Sequence, residues 1–98
     1  MQNERPCVLT KIDLTDNGLK RTIAFLNLKK TEQGTLTAEG CHVESDCVYS
    51  ISDSVAQWIS QQEVFDKPLT DDSALSYDAL TGSFELASLK ELNLIIDL

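Results

Sequence analysis

At 98 residues, with 42% apolar and 24% charged side chains, the chain is long enough for one packed core and too short for two, and its composition excludes a disordered chain. A net charge of −8 argues against direct nucleic-acid binding, and no apolar run approaches the roughly 18 residues of a membrane helix. No hydrophobic stretch follows Met1-Gln2-Asn3-Glu4-Arg5, so no signal peptide is expected and a cytoplasmic location follows; three cysteines, an odd number, fit reduced and mostly buried thiols.

Residues 7–14 form a β-rich run in which Val8, Thr10, Ile12 and Leu14 share a face. Thr15-Asp16-Asn17-Gly18 follows, and Asn-Gly accepts the positive φ angles of a tight hairpin turn. The return strand covers residues 20–29. Its Ile23, Phe25, Leu26 and Leu28 are apolar on both faces, which predicts a strand covered on both sides. After a turn at Thr31-Glu32-Gln33-Gly34, a third strand is expected over residues 35–44, with Gly40 marking a bulge or a close backbone approach. These three strands make a meander.

Cys47-Val48-Tyr49-Ser50-Ile51 reads as a short fourth strand. Ser52 or Asp53 then caps a helix running to about Gln62, whose inward stripe is Val55, Trp58, Ile59 and Gln62, with Trp58 as its expected anchor. The segment 61–73 is polar, with Val64, Phe65 and Leu69 tacking it down. Residues 74–80 and 83–87 pair about a Thr81-Gly82 turn, and residues 85–92 read mostly as strand. In Leu92-Asn93-Leu94-Ile95-Ile96-Asp97-Leu98, every second residue is a large aliphatic, so a last core strand is expected there. The fold class is therefore α+β: a single domain with a mainly antiparallel sheet of five or six strands, possibly curled, and one short helix packed on a face.

Chemistry is sparse. His42 is the one histidine, and it stands in Cys41-His42-Val43-Glu44-Ser45-Asp46-Cys47, a set of zinc-capable donors. Neighbouring strand residues point to opposite faces, and the two-residue cysteine spacing is missing. The expectation is Cys41 buried, His42 at the surface and Cys47 packed, with no metal. A Cys-His nucleophilic pair would need Cys7 or Cys47 to meet His42 across strands, with neither an oxyanion-forming glycine motif nor a third orienting residue in sight. Calcium-loop, phosphate-loop, dinucleotide and nucleophile-elbow patterns are all missing, so neither an enzyme nor a cofactor is expected. Arg5, Lys11, Lys20, Arg21, Lys29 and Lys30 lack interleaved aromatics and read as solvated strand ends.

Charge is unevenly spread. Residues 1–30 carry six bases against three acids, whereas residues 31–98 carry two against thirteen. Glu39, Glu44, Asp46, Asp53, Glu63, Asp66, Asp71, Asp72 and Asp78 are thus the candidate contacts to a basic protein partner, with fast and salt-sensitive association. The functional expectation is a small, non-enzymatic binding protein of the inhibitor, antitoxin or immunity type. The alternative is a small-ligand or nucleotide-binding module, with a pocket between helix and sheet near Tyr49, Trp58 and Tyr77. A homodimer through exposed sheet edges is also compatible with the pattern.

Overall fold

The computed structural model describes residues 3–15, 19–40 and 42–92. Six strands and one helix follow in the order β1 (Glu4–Asp13), β2 (Arg21–Lys30), β3 (Leu36–Ala38), β4 (Cys47–Ser50), α1 (Asp53–Gln62), β5 (Ser73–Asp78) and β6 (Ser83–Ser88). All pairings are antiparallel, in the sheet order β3-β2-β1-β4-β5-β6. The α+β class with one helix is what the sequence led one to expect. The sheet is nearly barrel-shaped: its edge strands approach closely enough for the Thr37 hydroxyl on β3 to donate to the Gly82 carbonyl beside β6 at 2.8 Å. Among the described residues, no helix is long and apolar enough to cross a membrane.

β1 and β2 form the long hairpin, in register from Glu4 opposite Lys29 to Ile12 opposite Arg21. At its turn the Asp13 amide donates to the Lys20 carbonyl at 3.0 Å. The Asp13 carboxylate accepts the Thr15 amide at 2.9 Å and the Thr15 hydroxyl at 2.7 Å, and these bonds hold its pKa below the usual carboxylate value. The expected turn residues 16–18 lie outside the described residues. Pro6 sits within β1, exposed, opposite Asn27.

One strand expectation needs correction. Val8, Thr10 and Ile12 do share a face of β1, opposite the one from which Leu9 and Cys7 point into the main core; on it Val8 is 51% exposed and Ile12 is buried in a smaller group. The expectation for β2 fails in part: it is an interior strand of the ladder without being covered on both faces. Ala24, Leu26 and Leu28 pack inward, and Ile23 and Phe25 are 65% and 73% exposed. Apolar alternation identifies a strand's faces without saying which one the sheet closes around.

The third strand is also shorter than expected. It ends at Ala38 because Gly40 adopts φ +72°, a left-handed conformation that breaks extended pairing. The chain then crosses to the far side of β1, where β4 pairs Thr10 with Ser50 through Asp13 with Cys47.

Helix α1 begins after Ser52, which takes the extended N-cap conformation but makes no capping bond with its side chain. Val55 and Ile59, four residues apart, are the fully buried anchors, and Trp58 packs against the core only in part. Ten residues of helix are marginal alone, so this docking holds α1 in place. It stops at Glu63, a non-glycine residue at φ 55°. Glu63→Gly is therefore expected to raise stability by about 0.5–1 kcal/mol, seen as a higher midpoint in thermal unfolding. An unchanged or lower midpoint would mean that this cap is not strained.

Val64, Phe65 and Leu69 do tack the following segment onto the core. β5 and β6 meet across a loop in which the Gly82 amide donates to the Asp78 carbonyl at 2.8 Å with φ +73°. Strand ends at Ser88, and residues 89–92 form turns rather than the continuous strand expected there. The predicted last strand would begin at Leu92, which instead lies in this turn and is 41% exposed; its residues 93–98 lie outside the described residues.

The main core gathers Leu9, Leu26, Leu28, Leu36, Cys47, Tyr49, Val55, Ile59, Leu75 and Phe84. Ile12, Val48 and Ala74 form a second, smaller buried group on the other side of the sheet.

Candidate interaction surface

The outer face of the β1–β2 hairpin carries the feature that packing leaves unexplained. Val8 and Phe25 are direct cross-strand partners, and Ile23 stands two residues along from Phe25, opposite Thr10. Opposed Cβ atoms in such a pair lie about 4.5–5.5 Å apart, so the exposed side chains form one apolar patch. Leu14 and Leu19, 37% and 74% exposed, extend apolar surface toward the hairpin turn. At the other end, Pro6, Val8, Phe25, Asn27, Glu39 and Gly40 border a shallow depression of about 360 Å³. A polar rim surrounds it. Glu39 pairs with Lys29 at 3.1 Å, and Asn27 donates to the Glu4 carboxylate at 3.3 Å.

Register holds this arrangement in place. A slip by one residue would turn Ala24, Leu26 and Leu28 outward and carry Ile23 and Phe25 into the core, so filling the interior fixes what the outside shows. Single exposed hydrophobics are ordinary on any surface, whereas Val8, Ile23 and Phe25 stand together on one face.

The acidic candidates are distributed over several loops. Glu39 is paired with Lys29, and Glu44 forms an ion pair with Lys11 that lowers the Glu44 pKa and raises that of Lys11. Asp46 is exposed nearby. Asp53, at the start of α1, and Asp71 border one groove of about 680 Å³ beside the helix, with Gln57, Leu69 and Thr70. Glu63 caps α1, and Asp66 is exposed in the segment that follows. Asp72 accepts hydrogen bonds from the Thr70 and Ser88 hydroxyls, which hold its pKa below the usual value. Asp78 accepts the Leu80 amide at 2.9 Å in the β5–β6 loop. The ion pairs tie the basic hairpin directly to acids of the β3–β4 connection.

The aromatic candidates surround Phe84. Tyr49 is 1% exposed and meets the Phe84 ring edge-on at 6.2 Å, and Tyr77 does so at 5.2 Å. The Tyr49 hydroxyl accepts the Glu44 amide at 3.1 Å, but burial dominates and pushes the phenol pKa well up. Trp58 packs on the same core from the helix side.

Of the zinc-capable donors, Glu44, Asp46 and Cys47 come within 4.8 Å of one another. The Lys11 ammonium already neutralises Glu44, and burial raises the Cys47 pKa and keeps the thiol protonated. A metal would have to displace both a cation and a proton. His42 is exposed in irregular chain rather than on a strand, and Cys41 lies outside the described residues.

Val8, Ile23 and Phe25 were legible in the sequence as apolar positions but not as a surface. The signal was present in β2, whose two apolar faces fit a strand with one face in the core and the other offered outward. Comparison of this chain with family models, curated proteins and solved structures finds no match to any of them.

Proposed function

We propose that the chain is a small, non-enzymatic protein-binding module of the inhibitor, antitoxin or immunity type, which grips its partner with the outer face of β1–β2. The observation that supports this reading is the contiguous exposure of Val8, Ile23 and Phe25 on a face whose inner side is fully packed. A patch that contributes nothing to the core and costs solubility has its simplest use in a contact. The net charge of −8 favours a basic partner, drawn in by the field of the whole molecule rather than by acids on the hairpin face, and retained there by apolar burial. The pocket alternative ranks lower because Tyr49 and Tyr77 fill the space around Phe84 instead of lining an opening.

The test compares wild type with Phe25→Asp as bait in affinity capture, followed by titration of the recovered protein against both. Phe25 is exposed, so the variant should keep its stability within about 0.5 kcal/mol. Loss of a hot-spot aromatic of at least about 2 kcal/mol should weaken binding roughly 30-fold. Equal affinity for both baits would remove the hairpin face from the interface. Binding abolished by salt alone, and indifferent to Phe25→Asp, would point to the acids instead.

A further inference from the structure

We propose that the open edge of β2 at Ile23 and Phe25 pairs antiparallel with the same edge of a second copy of the chain. On the side away from β1, β2 is covered only by β3, which pairs with Leu28, Lys29 and Lys30. One further bond, from the Glu39 amide to the Asn27 carbonyl at 3.0 Å, ends that cover, and Gly40 then turns away at φ +72°. Among the described residues, no strand pairs with the rest of β2 on this side. Alternation along the strand tells which backbone groups face the gap. The Lys30 amide donates to the Asn3 carbonyl at 2.9 Å and the Lys20 carbonyl accepts the Asp13 amide at 3.0 Å, so even-numbered residues bond toward β1. Asn27, bonded to Glu39, shows that odd-numbered ones bond outward. The N–H and C=O groups of Ile23 and Phe25 therefore point into the open edge, beside side chains that are themselves mostly exposed. Such an edge is a template for another strand.

The occupant is a second copy because the edge matches itself. A two-fold axis at Ile23 sets Ile23 opposite Ile23, exchanging two N–H···O bonds, and sets Phe25 opposite Arg21 of the other copy. Apolar side chains then meet at the centre, and each Phe25 ring gains a guanidinium at its flank. Charge agrees with this register. Beyond each end of the pairing, Lys20 and Arg21 of one copy approach Glu39 of the other, whose side chain is 56% exposed beside Lys29. The contact runs along the sheet edge rather than over its outer face, so it goes beyond the partner reading above and does not rest on it.

The experiment combines light scattering with amide hydrogen exchange on the chain alone, from micromolar to millimolar concentration. The mass is expected to double as concentration rises, with the Ile23 and Phe25 amides becoming protected in step. The Thr22 and Ala24 amides, bonded toward β1, should be protected throughout. Ile23→Pro removes an edge N–H that the single chain does not use, at a position where a strand tolerates proline. It should abolish the doubling, whereas Ile23→Val, which keeps the N–H, should retain it. A monomer mass at every concentration would overturn the proposal and leave the edge to a strand of another protein. A doubled mass with the Ile23 and Phe25 amides still exchanging would overturn it too, since the copies would then meet elsewhere. If Ile23→Pro fails to fold, the wild-type exchange pattern decides by itself.

Discussion

Phe84→Ala is expected to lower folding stability by about 3–5 kcal/mol, the usual cost of removing a buried aromatic ring. Domains of this kind have roughly 5–15 kcal/mol in total, so the variant should stand near the edge of folding at room temperature. The reason lies in the position of the ring. Phe84 is 4% exposed on β6, an edge strand, and packs edge-on against Tyr49 of β4 and Tyr77 of β5. It thereby joins the edge strand to the interior of the sheet, and the hole left by alanine would lie between strands that cannot collapse without breaking their ladder. Urea unfolding of wild type, Phe84→Leu and Phe84→Ala measures the effect, with leucine expected to recover part of the loss. A deficit under about 1 kcal/mol for alanine would mean that the site relaxes and that the ring does not hold the edge strand in place.

Alkaline pH should destabilise the fold more steeply than exposed groups would allow. Burial raises the folded-state pKa of Tyr49 and of Cys47 above their unfolded values. For such groups the stabilising contribution is complete below the unfolded pKa, about 8.5 for the thiol and about 10 for the phenol, and is lost as pH rises toward the folded pKa. Lys11, whose folded pKa is also raised, acts in the same direction. Each buried group can contribute up to about 1.4 kcal/mol per pH unit within its window. Denaturant unfolding from pH 8 to 11.5 should therefore show falling stability above about pH 9, steepening past pH 10. Tyr49→Phe tests the assignment. It should begin about 1–3 kcal/mol less stable, because the Glu44 amide loses its acceptor, yet should lose the steeper part of the alkaline slope. A variant with the parental slope above pH 10 would place the titration elsewhere.

Local pattern was enough for the elements. The β1–β2 hairpin, the 53–62 helix and the β5–β6 hairpin follow from alternation, from three- and four-residue spacing and from turn residues, all of which act over a few neighbours. Boundaries failed where one residue's backbone decided them: Gly40 at φ +72° cut the third strand short, and the turns after Ser88 ended the sixth. The helix anchor was misplaced because size favoured Trp58, whereas the crossing of α1 over the sheet buries Val55 and Ile59 completely. Among the candidate contacts, the sequence offered charges and could not say which were already spent. Lys11 and Glu44 are 33 residues apart and meet only because β1 lies beside the approach to β4.

Sequence alone determined the composition of this protein: an antiparallel α+β chain with one docked helix, since period and propensity are local properties that survive without a fold. Tertiary structure alone decided which apolar face is core and which is surface. Val8, Ile23 and Phe25 are as hydrophobic as Leu9, Leu26 and Leu28, and alternation treats the two sets alike. They are separated by the side of the sheet on which Tyr49, Val55, Ile59, Leu75 and Phe84 gather into the main core, all of them far along the chain from the hairpin.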